Sequence, residues 1–444
     1  MVLIEDYSHF GATERVAGAL RNILDYHGIV APHSKEAYTE ALLMGIGGGL
    51  GAEYATWAFM GIDPTRPRKN KLYLRFHHVK NYIEKKEETF IQKIAKRIGA
   101  QLTVKETASR ERADQFLFDS LMAGNPIIVQ LSIWQSIYSR QVVSDRYHAN
   151  PKLFPQLLYD EFVLFLPYYS LPYPWISGHL ATVYGINEDT KQVYLSDYSN
   201  QPVTISVQQL TDSRSIIKGW KNAAFSLSPP KSAPDLKKAI RQGITDCVKS
   251  LLHDKTVISG AHLRTKAWHA IANSISNFSE KTGWLTLFSE PWQLFDTLTR
   301  IHAQIAFHNS DGGALRSSYA DFLEEASEIL KKPNLKPIAH RFSDIGIMWD
   351  EIGTTALNDD IPELLHARQT ALNWHNTFKV HGDTKSTILA ALSKDLQSIR
   401  SEFSEELPLT HRELTTLFEE LGARFHEVYE AETTALHALR QAMK

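Results

Sequence analysis

The sequence predicts an α+β protein: an α/β first half followed by an all-α second half. Three observations carry that expectation. β-rich runs alternate with helical runs as far as residue 228. Leu227-Ser228-Pro229-Pro230-Lys231-Ser232-Ala233-Pro234 then interrupts regular structure, because proline removes backbone donors and fixes φ. Beyond it, apolar residues recur at helical spacing only. The expected organisation is an α/β domain at 1–228, a linker at 229–234 and an α-helical domain at 235–444.

The elements follow in order. Residues 5–13 are polar and irregular. Thr13 is placed as the N-cap of a first helix, with Glu14 in its first turn, where a carboxylate suits the positive end of the helix dipole. Val16, Ala19, Leu20, Ile23 and Leu24 fall on one helical face, and Gly28 stops the run. A second helix is expected over Lys35–Leu43, ending in Gly45-Ile46-Gly47-Gly48-Gly49-Leu50-Gly51. That glycine-rich stretch lacks a Walker lysine, so it reads as a tight connection with close backbone approach rather than a phosphate loop. Next come a strand at Tyr73–Phe76, an amphipathic helix at Lys80–Ile98, a strand at Leu102–Glu106, a helix at Ala113–Met122 and a buried strand at Pro126–Leu131. Residues 134–175 are rich in aromatics and proline and read as a cleft-covering insertion, or equally as a rigid connector. Strands at Val203–Val207 and Ala223–Leu227 close the first half. Helices are expected over 235–252, 262–276, 291–307, 317–331, 335–356, 360–376, 383–402 and 410–442.

The chemistry is concentrated in Ser177-Gly178-His179-Leu180-Ala181-Thr182-Val183-Tyr184-Gly185-Ile186 and Val193-Tyr194-Leu195-Ser196-Asp197. These are two β-rich runs around a polar segment of hairpin length. If Ile186 faces Gln192, Ala181 faces Asp197, and His179 becomes the diagonal neighbour of Asp197. Diagonal pairs lie about 7–8 Å apart, within reach of a histidine and an aspartate. A histidine oriented by an acid is two-thirds of a nucleophilic triad. The same residues also fit an ordinary hairpin that happens to hold one histidine.

Composition sets the outer bounds. The chain has 444 residues, 43% hydrophobic and 22% charged, which fits a globular protein and excludes disordered and fibrous classes. A net charge of −2 gives no electrostatic reason to expect nucleic acid or an acidic membrane as partner. The single cysteine, Cys247, excludes an intramolecular disulfide and a CxxC zinc site, and it reads as a buried helix residue. Met1-Val2-Leu3-Ile4-Glu5-Asp6 lacks the basic and apolar regions of a signal peptide, and the apolar run near Phe162–Tyr168 is too short to span a bilayer. A cytoplasmic location is expected. His77-His78 and the histidines at 253, 262, 269, 302 and 308 show no convincing metal-ligand spacing, so no metal is expected. Trp268, Trp284, Trp292 and Trp349 sit at apolar positions and read as core.

Ala19-Leu20-Arg21-Asn22-Ile23-Leu24-Asp25-Tyr26-His27-Gly28, together with Gly45–Gly51, the Gly178-His179 hairpin and Gly312-Gly313…Tyr319-Ala320-Asp321-Phe322-Leu323-Glu324-Glu325-Ala326, resembles the butirosin-biosynthesis protein H family across nearly the whole chain. The resemblance implies a papain-like (cysteine-peptidase-like) N-terminal domain, a cysteine nucleophile at the start of the first helix, a hairpin histidine as base and a following aspartate as its orienter. It also implies transfer of an acyl group from an acyl carrier protein, or a similar acyl-thioester donor, to a small-molecule amine, forming an amide in secondary metabolism. No other cofactor is implied beyond a phosphopantetheine-bound donor. Histidine and aspartate carry over onto His179 and Asp197. His9 stands six positions before the nucleophile position, where papain-like enzymes place an oxyanion-hole side chain. The nucleophile does not carry over. Family members read His-Cys-Glu where this chain has Glu14-Arg15-Val16.

Arginine is cationic at any working pH and is not a nucleophile. At a helix start it needs an anion. That anion is either Asp197 or Glu14, or the carboxylate or phosphate of a ligand, which would make Arg15 and Glu14 ligand-binding. Ser8 and Thr13 lie near the helix start, but neither occupies the matching position. Two functions therefore stand side by side: amide-forming acyl transfer with His179 as a direct general base, and a catalytically inactive homologue that binds a ligand or partner. A papain-type peptidase suffers most from the missing cysteine. Gly312-Gly313 and Asp321 are expected at the groove between the domains. Leu414, Leu417, Leu421, Phe425 and Val428 form a stripe that either packs internally or makes a homodimer.

Overall fold

The structure is a computed structural model, and it describes residues 1–59, 69–77, 88–132, 178–215, 221–253, 257–258, 261–278, 281–307, 311–403 and 406–444. The first half comprises β1 (Val2–Leu3), α1 (Arg15–Tyr26), α2 (Glu40–Gly47), β2 (Leu50–Phe59), β3 (Lys69–His77), α3 (Phe90–Arg97), β4 (Gln101–Lys105), α4 (Arg110–Met122), β5 (Ile127–Ser132), β6 (Gly178–Asn187), β7 (Gln192–Ser196), β8 (Val203–Ser206), α5 (Val207–Ser215) and β9 (Ala224–Ser228). The second half comprises α6 (Leu236–Leu251), β10 (Val257–Ile258), β11 (Ala261–Leu263), α7 (Lys266–Ile275), α8 (Trp284–Leu287), α9 (Pro291–Ala306), α10 (Arg316–Leu330), α11 (Lys336–Ala356), α12 (Pro362–His381), α13 (Ser386–Glu402) and α14 (His411–Ala442). The protein is a mixed α+β fold. The expected insertion at 134–175 lies outside the described residues.

A seven-stranded sheet runs β4-β9-β5-β6-β7-β8, with β1 added to β6, and every pairing in it is antiparallel. The β6–β7 hairpin pairs Asn187 with Gln192 at its tip and Thr182 with Ser196 at its far end, with a bulge between Val183 and Gly185. The tip register is thus one residue away from the expected one, and the extra residue restores it further down. Thr182 opposite Ser196 is the pairing adjacent to Ala181 and Asp197, as the sequence predicts.

Two expectations are corrected. The second helix begins at Glu40 rather than Lys35, because Thr39 caps it by accepting from the Leu42 N–H, while Lys35 sits at φ 64 in the preceding turn. The helix then continues through Gly45 and Gly47. A Cβ at the first would collide with the Phe322 ring and one at the second with Phe90, so these glycines permit the close approach inferred for the stretch. The second half is not all-α. Its β10–β11 hairpin extends the β2–β3 hairpin of the first half into a four-stranded sheet, with His262 opposite Tyr54. That pairing satisfies backbone groups that an open β2 edge would leave exposed.

One large apolar cluster crosses the linker. Leu20, Ile94, Ile240, Trp268, Phe322 and Leu436 all belong to it. A second cluster, including Leu117, Val129, Val183, Val193 and Leu210, packs with α4 and α5 on the large sheet. Trp268, Trp284 and Trp349 are fully buried, in keeping with a core role. Cys247 is buried as well, and burial pushes its thiol up to about 11. The stripe of Leu414, Leu417, Leu421, Phe425 and Val428 on α14 is buried within the chain, where α14 packs on α7 and α11.

Candidate active site

The β6 start and the β7 end lie at the same edge of an antiparallel hairpin, so Gly178-His179 and Ser196-Asp197 meet there by topology alone. The backbone of His179 pairs with Leu131 of β5. Its side chain is outside the described residues. Asp197 is 6% exposed, and its Oδ1 accepts from the Tyr198 N–H at 2.8 Å.

The segment leading into α1 runs along this edge. Ser196 Oγ donates to the His9 carbonyl at 2.9 Å, and the Ala12 N–H donates to the Tyr198 carbonyl at 3.3 Å. The His9 ring is held through Nδ1 by Asp25 Oδ2 at 2.7 Å, on the outer face of α1. That pose turns the ring towards the last turn of α1, away from the helix start where Arg15 sits, so the expected oxyanion-hole placement of the His9 side chain is not what the structure shows. The structure therefore brings the His9, Arg15 and Asp197 segments together beside the His179 strand.

Arg15 is the first residue of α1, and its guanidinium lies 5.7 Å from the centre of the Tyr198 ring, a cation–π distance. Tyr198 in turn packs on two rings of α12, stacked with His375 at 6.1 Å and 9° and tilted by 50° against Phe378 at 4.8 Å. His375 stacks on Phe307 at 4.7 Å. Burial pushes His375 down to about 4, so it is a neutral ring at neutral pH. Tyr198 and His375 are residues the sequence reading missed. Tyr198 was findable from its place next to Asp197. His375 carried no signal, because only tertiary packing brings α12 to this edge.

The cap of α1 departs from expectation. Glu14, not Thr13, is the N-cap, and its Oε2 accepts from the Ala17 N–H at 2.7 Å. Thr13 Oγ1 donates instead to Asp311 Oδ2 at 2.7 Å, an oxygen that also takes the Lys379 ammonium at 2.5 Å. The backbone N–H groups of Thr13 and Glu14 donate to Glu40, the first at 2.7 Å. Burial, with Glu40 nearby, pushes the Glu14 carboxyl up to about 7 against the lowering effect of its backbone hydrogen bonds. Glu40 is raised by the same cause.

These groups line a pocket of about 320 Å³ between the two halves of the chain. Thr13, Glu14, Thr39 and Glu40 come from the first half; Asp321 and Glu325 come from α10. Asp321 thus reaches the groove, as expected. Glu325 is fixed by Thr39 Oγ1 at 2.6 Å and His33 Nε2 at 3.0 Å. Gly313 lies instead beside α11, its N–H donating to Asp350 Oδ1 at 2.6 Å. Four carboxylates around one pocket suit a cationic ligand and oppose an anionic one. Among the described residues, no group of three or more His, Cys, Asp or Glu side chains is placed to hold a metal ion, and no helix is long and apolar enough to cross a membrane.

Residues 208–363 match the model of a domain of unknown function, DUF4872. A comparison with curated proteins finds no match. Residues 16–150 match the model of butirosin biosynthesis protein H, N-terminal, a match that starts one residue after Arg15 and takes in α1 and the glycine-rich end of α2. The N-terminal part of the chain is thus similar to the butirosin biosynthesis protein H family.

Proposed function

We propose that this protein is an amide-forming acyltransferase of natural-product biosynthesis, with a papain-like first half and a mechanism that dispenses with a covalent enzyme intermediate. The observation that carries the reading is the convergence of the His9–Arg15 segment on Ser196–Tyr198, at the edge of the hairpin that bears His179. In this reading His179 takes a proton from the acceptor amine as its nitrogen attacks the thioester carbonyl. The C–N bond forms, the C–S bond breaks, and the imidazolium returns its proton to the departing thiolate. Asp197 orients the imidazole. The acid-lined pocket beside Glu14 supplies a place for the ammonium groups of an amine acceptor. An acyl carrier protein or another thioester supplies the acyl group.

A second reading, a catalytically inactive protein that binds a ligand or partner, is favoured by one specific observation. Arg15 occupies the first position of α1, where the family resemblance places the nucleophile. Intact-protein mass spectrometry with an acyl-pantetheine donor and a panel of amines, on wild type and His179→Ala, separates the two. Amide product that vanishes in His179→Ala, with no acyl-enzyme adduct, supports direct transfer. An acyl adduct overturns the non-covalent mechanism. No product and no adduct across a broad panel favours the binding protein.

A further inference from the structure

The helix α9 carries a second polar site, distant in sequence from the hairpin. Gln293, Asp296, Thr297, Arg300 and Gln304 are spaced so that they share one face, and all are buried, at 3%, 8%, 2%, 5% and 2% exposure. The adjacent face, with Leu294, Leu298, Ile301 and Ile305, is the ordinary apolar one. A core helix normally hides its apolar face and leaves polar residues to water. Here both faces are hidden, so the polar one must be satisfied from within.

The charges on that face do not balance. Asp296 is already engaged by Arg400 of α13 in a fork, Nε to Oδ1 at 2.8 Å and Nη2 to Oδ2 at 3.3 Å. Arg300 lies on the same face one turn further on, and its Nη1 is enclosed with no hydrogen-bond partner among the described residues. The charged groups acting on it are Asp296 and a second arginine, Arg400. Among the described residues, two guanidiniums thus share one carboxylate. A guanidinium does not escape by losing its proton, and an unpartnered buried charge is costly. A water molecule would fill the missing hydrogen bond but not the missing charge. Arg400, 17% exposed and lying 5.2 Å from the centre of the Trp292 ring, marks the side open to solvent.

We infer that Arg300 and Arg400, on the polar face of α9, form an anion-binding site that takes a phosphate-type oxyanion, either as the free ion or as a phosphate monoester. A tetrahedral oxyanion offers several acceptors to the donors of this face and supplies the charge that Asp296 alone does not. The site is independent of the proposed acyl transfer, since its test reads anion binding and no turnover.

The test is thermal unfolding of the full chain in inorganic phosphate, in glycerol 3-phosphate and in sodium chloride at matched ionic strength, followed by titration calorimetry. Wild type should gain a few degrees in Tm with phosphate over chloride. Arg300→Met, which keeps the length and removes the charge, should lose that gain and match or exceed the wild-type Tm in chloride alone. Arg400→Gln, at the solvent side, should fold and bind phosphate roughly tenfold more weakly. Tighter binding of glycerol 3-phosphate than of phosphate assigns a phosphate-bearing molecule, and the reverse order assigns the free ion. Equal phosphate gains in wild type and Arg300→Met, or no gain in wild type, overturn the inference and leave Arg300 satisfied by water. An Arg300→Met protein too unstable to measure moves the decision to Arg400→Gln, whose unchanged phosphate affinity would equally overturn it.

Discussion

Arg316 and Glu432 form an ion pair that solvent does not reach, Nε to Oε1 at 2.6 Å with 0% and 1% side-chain exposure. The indole N–H groups of Trp268 and Trp349 each donate to the same carboxylate at 2.9 Å. The guanidinium also donates to the carbonyls of Ala314, Phe76 and Gly51 and lies between 5.4 and 5.7 Å from the ring centres of Phe76, Trp268 and Trp349. One pair therefore ties the β2–β3 hairpin of the first half to α7, α10, α11 and α14 of the second. Glu432→Ala leaves a buried cation and two indole donors without their acceptor. Urea unfolding should show a loss of roughly 3–5 kcal/mol. Arg316→Met combined with Glu432→Ala should cost less than the sum of the two single changes, because no unpaired charge remains.

The contact between α2 and α6 gives a second prediction, with a sign opposite to helix propensity. Glycine to alanine inside a helix normally stabilises by about 1 kcal/mol. A Cβ on Gly243 would collide with the carbonyl oxygen of Gly45 and press on Ile46 Cα. Backbone atoms do not swing aside as a side chain does. Gly243→Ala should therefore destabilise by roughly 2 kcal/mol or more, read as a lower urea midpoint at unchanged m.

These two features show why the sequence revealed some of the fold and hid the rest. The helices of the second half, from 291 to 442, were legible because each carries an apolar face at helical spacing and a Pro, Gly or capping signal at its end. Thr410 with Glu413 is such a signal, and the structure shows it as a capping box. The β10–β11 hairpin was not legible, since Val257–Leu263 is too short to establish a period of two and pairs with β2 across some 200 residues. At the hairpin, pairing one residue off at the tip still placed Ala181 next to Asp197, because the bulge at Tyr184 absorbed the offset. The Glu14 cap was missed for a physical reason. Its side chain needs Glu40 and α10 to bury it, and no local pattern records them.

Glu14 sets one pH dependence. Its carboxyl is pushed from an ordinary 4.5 to about 7, so between those values the folded chain holds a proton that the unfolded chain has released. Stability from this group is full below pH 4.5 and is lost as pH rises through about 7. Glu40, Asp321, Glu325, Arg15 and Arg21 are the charged groups around it. Glu14→Gln keeps an acceptor for the Ala17 N–H and cannot ionise. It should raise stability at pH 8 by on the order of 2–3 kcal/mol and remove that part of the decline, measured by urea unfolding from pH 4.5 to 8.

His375 sets a dependence of the opposite sign. Burial between Tyr198 and Phe307 pushes it from 6.5 down to about 4, with Asp311 opposing and Lys379 assisting. Between those values the unfolded chain carries a proton that the folded chain refuses. Stability is full above pH 6.5 and falls as pH drops towards about 4. His375→Phe retains a flat ring for both stacks and removes the titration. Its stability advantage over wild type should grow by on the order of 2–3 kcal/mol between pH 7 and pH 4. Fully buried His302, pushed down to about 4 by desolvation, should leave a residual acid sensitivity in that variant. If His375→Phe tracks wild type across the whole range, the ring is not held neutral by its stack, and the column from Arg15 through Tyr198 to α12 is looser than its geometry implies.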